Sequence, residues 1–429
     1  MQSKSSLLQL EHRTRNLSKG TWFMVIVSIC VINLSCICGY HGPPVYEKVQ
    51  VGKTNDIIID RDGTIHVLYS LYAPARMGDS VFGVYYTRRS ESNDWQTEIV
   101  GTWSSQPQVH ALGRGPNGDL HAFYGSTQKT MYGWKKMGGE WETETFLTNG
   151  YVGDVAFDAD GAMHVSHSHW LTDTVLFDNV SPDYTYKPVD GHFHSREIKI
   201  TGFRDVDHGR VTDIAVDSAG KVHIVLDVYS LMLRKINYVQ IAANDGVSTP
   251  PKTAASFSDT NWYPSLAIDS DDRLHMAFTG YYTTVPDEEL EPKLKYTVSY
   301  DGGATWEKWV VVDESNGTGQ SPEIAVDSSG GLHIAYMSPE TYEVKYAYKA
   351  PEATSWSIEI VDSDVPTDAD ISLALDGTGN PFILYPKVSS STLETPDMTE
   401  FLDLKLAHRT ENGLWVTETI EASALGETE

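Results

Sequence analysis

Apolar and polar positions alternate along most of this chain, in short runs broken by Asp/Gly turns. Residues 324–336, IAVDSSGGLHIAY, hold two such runs around one turn, the pattern of two short strands joined as a hairpin. The segment recurs as IIIDRDGTIHVLY (57–69), VAFDADGAMHVSH (155–167), IAVDSAGKVHIVL (214–226) and LAIDSDDRLHMAF (266–278). VHALGRGPNGDLHAFY (109–124) is a looser copy with two extra turn residues, and LALDGTGNPFILY (373–385) carries Phe382 where the others carry His. From His66 to Phe382 the copies return about every 53 residues. A second hairpin follows most copies, its last strand opened by Trp95, Trp141, Trp306, Trp356 or Trp415.

Seven copies of a four-stranded antiparallel unit predict an all-β chain folded as a seven-bladed β-propeller. The period-2 alternation excludes a helical solenoid. Residues 41–429 read as this one propeller domain. Within them, residues 45–51, VYEKVQV, read as one more strand able to complete or reinforce the last blade, with the choice of chain end left open.

The first forty residues break the pattern. Lys4, Arg13, Arg15 and Lys19 precede the apolar stretch Trp22–Gly39, so residues 1–40 read as an export signal or a signal anchor. A secreted, periplasmic or cell-surface-anchored protein is expected, touching membrane only through this segment. All three cysteines, Cys30, Cys36 and Cys38, lie there, so the propeller is expected to be held by packing and not by disulfides. The net charge of −27 repels polyanions and argues against nucleic acid as a partner. A monomer acting on a polysaccharide or glycan is the expectation.

A repeat supplies its own control, because a residue present in every copy serves the copy. Asp60, Asp158, Asp217, Asp269, Asp327 and Asp376 close the first strand, where a carboxylate can accept turn N–H groups. His66, His121, His164, His223, His275 and His333 are expected to be buried struts, hydrogen-bonded to an adjacent blade. The longer second-to-third-strand connections mark the binding face. Entering the first strands, Asp56, Gln108, Asp154, Asp213, Ser265, Glu323 and Ser372 are expected to ring the mouth of a central channel. His110 is read in the small-residue position that holds Ala156, Ala215, Ala267 and Ala325 elsewhere.

Departures from the repeat carry more information. Repeat 3 reads HVSHSHW (164–170), with His167 and His169 in core-type positions, and runs on into a segment rich in base and aromatic groups. His167, Tyr186 and Arg204 are the candidate catalytic set. His169, Trp170, His194, Arg196 and Tyr229 are the candidate substrate contacts. No cofactor is expected, although His192, His194 and His208 have a spacing open to a structural metal.

Ser299-Tyr-Asp-Gly-Gly-Ala-Thr-Trp306 matches the pattern S-x-D-x-G-x-T-W, and the chain resembles the Asp-box (BNR-repeat) propellers over residues 55–421. That family includes sialidases, polysaccharide lyases such as ulvan lyases, and non-catalytic binders. The resemblance implies a carbohydrate-active propeller, foremost a lyase cleaving a uronate-containing glycan by β-elimination. In that reading Arg204 or Arg196 neutralises the carboxylate, His167 is the base and Tyr186 the acid. The pair of histidines expected of the ulvan-lyase type is not found, and neither is the sialidases' Arg-Ile-Pro motif. Two alternatives stand beside the lyase: a non-catalytic glycan- or protein-binding propeller at the cell surface, and a glycoside hydrolase using the channel-mouth carboxylates.

Overall fold

The computed structural model describes residues 45–421, except 47–48, 78–79, 91–93, 127, 171–179, 199–207, 231–232, 243–251, 256–260, 283–290, 316, 368–369, 390–400 and 411. The proposed export segment, its cysteines and Arg204 lie outside the described residues. Every regular element among the described residues is a strand.

Repeats 2 to 6 each form a separate four-stranded antiparallel sheet in chain order. Their first strands are Gln108–Arg114, Gly150–Phe157, His208–Val216, Asn261–Ile268 and Gln320–Val326. Repeats 1 and 7, whose first strands are Val49–Ile59 and Ser372–Leu375, merge into one eight-stranded sheet. The join is a short parallel pairing of Val49 with Phe401 and Gln50 with Leu402. The outer strand of repeat 7 is therefore the C-terminal Trp415–Glu421, paired with Phe401–Arg409. The segment 45–51 divides: Val45–Tyr46 pairs with Ala75–Met77, and Val49 begins the first strand of repeat 1. Each first strand packs against the next around the molecule, and that of repeat 7 packs against that of repeat 1.

The shared residues explain how the sheets hold together. Asp60, Asp158, Asp217, Asp269, Asp327 and Asp376 each accept backbone N–H groups of their own turn. The other carboxylate oxygen of the first five lies 3.1–3.3 Å from Nε2 of the repeat's histidine. In all six repeats that carry the histidine, Nδ1 lies 2.6–2.7 Å from a tyrosine hydroxyl on the third strand. The histidine's partners thus belong to its own sheet, and the expected bond to an adjacent blade is not direct. Tyrosine makes that link: Tyr86, Tyr238, Tyr296 and Tyr346 receive the edge of Trp141, Trp306, Trp356 and Trp415 from the following repeat. The Tyr238 hydroxyl also donates to the carbonyl of Gly302, inside the Ser299–Trp306 turn.

Repeat 3 lacks the outer-strand Trp, and Phe193 stands in for it, edge-on to Tyr132 at 5.2 Å. Burial drives the pKa of His66, His164, His223, His275 and His333 down against the pull of their aspartates, so these rings are neutral struts.

Candidate functional site at the channel mouth

Where the first strands begin, six of the seven carry a break in register: before Asn55, Ala111, Asp154, Asp213, Ser265 and Glu323. A bulge re-aims the side chains beside it and is common near binding sites. Here the bulged residues His110, Gly153, Tyr263, Pro264, Ser321 and Pro322 turn toward a shared central cavity of about 470 Å³. Tyr263 and Ser321 take left-handed φ values of 49° and 47°, strained for any residue with a Cβ and both followed by proline.

Just inside the bulges lies one position per repeat facing the channel. Register identifies it as Asp56, Ala111, Asp154, Asp213, Ser265, Glu323 and Ser372. Gln108, expected here for repeat 2, pairs further out with Gly125, and Ala111 occupies the position opposite Phe123. For the same reason Gly113, not His110, is the counterpart of Ala156: Gly113 pairs with His121 as Ala156 pairs with His164. The expected two extra turn residues are not found: Gly115–Asp119 closes the turn of repeat 2 just as Asp60–Thr64 closes that of repeat 1, so its first strand lies further along the chain than the run VHAL suggests.

Most ring side chains reach the next repeat. Asp56 accepts the backbone N–H of Leu112, Asp213 accepts that of Leu266, and the Ser265 hydroxyl accepts that of Ile324. The Ser372 hydroxyl donates to the Asn55 carbonyl, closing the circle. Ser265 also bridges two carboxylates, 3.1 Å from Asp213 and 3.4 Å from Glu323. These bonds staple neighbouring sheets together.

Asp154 departs from the rule. Its carboxyl hydrogen-bonds with that of Asp213, and two carboxyls at that range must share a proton. Burial, joined by the charges of Asp213 and Asp56, raises the Asp154 pKa well above the ordinary carboxylate range. Burial also raises Asp213, against four hydrogen bonds that favour its anion, and lifts Glu323. Asp56 is pushed up to about 7, mainly by burial. Asp227 and Asp370 line the same cavity, and among its described lining residues there is neither Lys nor Arg.

A pH test follows. The folded pKa of Asp56 lies above its unfolded value, so its contribution is full below about pH 4 and is lost as pH rises through 7. Asp56→Asn should therefore gain stability relative to the wild type as pH goes from 5 to 7, by at most about 1.4 kcal/mol per pH unit, read from thermal melting. A pH-independent difference between the two melting curves would contradict the burial of this carboxyl.

The candidate residues of repeat 3 do not gather at this mouth. His167 is buried at 2% exposure, its Nε2 is 2.7 Å from the Thr185 hydroxyl, and its ring meets Phe146 at 5.4 Å. Burial pushes its pKa down to about 3, too low for an effective base at neutral pH. Tyr186 pairs across the sheet from His164 and packs on it at 5.4 Å, on the face opposite to His167. These two members of the expected catalytic set are not brought together. His169 bonds through Nδ1 to the Asp183 carboxylate, and Trp170 donates its backbone N–H to Asn149, both at the loop end of the second strand. His194 is exposed on the outer strand, and the Arg196 guanidinium sits over the Tyr184 ring at 5.0 Å. Tyr229 lies on the strand Val222–Ser230, its side chain outside the described residues, as is that of His208. His192 is exposed. Among the described residues no group of three or more His, Cys, Asp or Glu could hold a metal ion.

No family model and no curated protein matches the chain. Solved structures do. An ulvan lyase, a polysaccharide lyase bound to a GlcA(1-4)Rha3S ligand, superposes with a TM-score of 0.55 at 10% identity, covering 89% of this chain and 95% of its own. The fold is a β-propeller. An α-L-arabinofuranosidase of Fusarium graminearum, in complex with arabinobiose, superposes at 0.51 with 12% identity, over 70% of this propeller and 93% of the other chain. Hydrazine synthase of Kuenenia stuttgartiensis matches at 0.50 with 11% identity, over 81% and 95%. Chemistries this different on one architecture make the likeness one of fold, so function has to be argued from the site.

Proposed function

We propose that this chain is an exported, seven-bladed propeller that binds a neutral glycan at its channel mouth and hydrolyses a glycosidic bond there. The observation that carries this reading is the Asp154–Asp213 pair, the one place on the ring where a carboxyl shares a proton with another carboxyl instead of only stapling backbone. Glycosidic hydrolysis needs one carboxyl that keeps its proton as the acid and a separate carboxylate as the base, and contact with Asp213 holds the proton on Asp154. Asp154 donates the shared proton to the leaving oxygen as the C–O bond breaks. Water attacks the anomeric carbon and passes its proton to Asp56, whose pKa near 7 suits a base at neutral pH. Asp213 keeps the negative charge, held by the N–H groups of Ile214 and Leu266 and by the Ser265 hydroxyl. Tyr263, 39% exposed at the rim, offers a ring on which a sugar can stack.

The carboxyl-rich lining favours a hydroxyl-bearing substrate over a uronate. Two of the solved relatives, the ulvan lyase and the arabinofuranosidase, act on carbohydrate, which agrees with a glycan but does not select one. The lyase reading requires a cation on the substrate carboxylate; its candidate Arg204 lies outside the described residues, and Arg196 is stacked on Tyr184. Incubation with neutral and uronate-containing polysaccharides distinguishes the two. Reducing ends released from a neutral glycan, without the ultraviolet absorbance of an unsaturated uronate, are expected. That absorbance appearing instead would replace hydrolysis with β-elimination, and binding without turnover would leave a lectin-like propeller.

A further inference from the structure

The opposite face, where the first-to-second-strand turns lie, holds a second departure from the repeat. In five repeats an aspartate closes the first strand and meets Nε2 of the histidine. Register makes Gly115 the counterpart of Asp60 in repeat 2, two residues beyond Gly113. His121 keeps its tyrosine, with Nδ1 2.7 Å from the Tyr132 hydroxyl, and among the described residues no carboxylate meets its Nε2 as Asp60 meets that of His66. A Cβ built on Gly115 would stand 3.5 Å from that nitrogen, so the missing carboxylate is what leaves it open.

The space left belongs to a cavity of about 300 Å³ between repeats 2 and 3. Trp134 and Phe157 line it, as does His121, which pairs across the sheet from Trp134 and lies 5.0 Å from Phe157. Lys136 and Lys187 bring donors to its edge, and Asp119 and Glu144 bring acceptors. Burial and the nearby Lys187 push the His121 pKa down to about 4, so the ring is neutral and Nε2 exchanges hydrogen bonds without charge. Aromatic walls, a volume at the small end of ligand pockets, and convergent donors and acceptors of both signs match one hydroxyl-bearing ring.

We infer that this cavity is a second glycan-binding site, which takes a single sugar ring against Trp134 and Phe157 with Nε2 of His121 bonded to a hydroxyl. The inference does not depend on hydrolysis at the channel. Its position on the other face would let the protein hold a polysaccharide chain away from the channel mouth.

The test is Gly115→Asp, which restores the Asp–His–Tyr arrangement already present in five repeats. The φ of Gly115 is not left-handed, so an L-residue fits, and the Asn117 side-chain oxygen, 2.9 Å from the new Cβ and accepting the Asp119 N–H, must shift. Calorimetric titration with arabinobiose, cellobiose and mannobiose, read beside thermal melting, is the measurement. Wild type is expected to bind at least one of them with a component that weakens by about tenfold or more in Gly115→Asp and in Trp134→Ala, while melting of Gly115→Asp and any channel hydrolysis are unchanged. No such component in the wild type, or undiminished binding in both variants, would overturn the site. Binding with this component but no hydrolysis by the wild type would count against the hydrolase reading and support this inference on its own.

Discussion

Tyr238→Ala is expected to destabilise the protein by about 3–5 kcal/mol, measured as a fall in the denaturant midpoint at unchanged slope. The side chain is 2% exposed and sits in the cluster of Val225, Ile236, Leu266, Leu274, Met276 and Phe278. Its ring takes the edge of Trp306 at 5.5 Å. Its hydroxyl lies 2.6 Å from Nδ1 of His223 and donates to the Gly302 carbonyl at 3.0 Å. Gly303 brings the next turn this close: with φ at 86°, any Cβ there would lie 2.2 Å from the Tyr238 ring. Removing the ring therefore opens a cavity, unties His223 and frees the Ser299–Trp306 turn together. Tyr238→Phe, which removes only the hydroxyl, should cost about 1–2 kcal/mol. An alanine cost as small as the phenylalanine cost would mean that the sheets are not coupled through this tyrosine.

The same relay shows how far the sequence can be read. The repeated histidine and aspartate mark the second strand and the turn, and reading them as scaffold agrees with their bonding. Their tyrosine partner is also visible in the sequence. Tyr86, Tyr132, Tyr184, Tyr238, Tyr296 and Tyr346 all stand two residues before the residue that pairs with the histidine, with Leu406 in repeat 7. That signal lies in the third strands, whose spacing from the histidine varies with the connecting loop, so it does not stand out at a fixed period. Register is the harder problem. In repeat 2 Gly115 stands where the other copies carry the strand-closing Asp, so no residue type marks the end of the strand or shows that Ala111 faces the channel, and bulges shift pairing in ways that a run of apolar residues does not record.

The divergence of His167 and Tyr186 has a plain cause. His164 pairs with Tyr186 while His167 pairs with Asp183, an odd number of positions apart, so the two side chains leave opposite faces of the sheet. Strand parity alone separates them once the pairing of the two strands is fixed. The channel acids show the converse. Asp56, Asp154, Asp213 and Glu323 are legible as a ring, but the proton shared by two of them depends on a distance that no linear pattern carries.

The second large effect concerns that pair. Asp154→Asn removes the proton donor and keeps the shape of the side chain, so the loss should fall on turnover and not on binding. With a neutral polysaccharide that the wild type hydrolyses, kcat is expected to drop by about 10²–10⁴-fold with KM changed little, as for removal of a general acid. Asp213 should still bond to the new amide, so melting near pH 5 should stay close to that of the wild type. The kcat of Asp154→Asn beside the wild type, on one glycan at one pH, is the measurement that bears most directly on the channel mouth as an active site. A fall of two orders of magnitude or more in a folded variant is the expected result, and turnover at the wild-type rate would show that the chemistry lies elsewhere on the propeller.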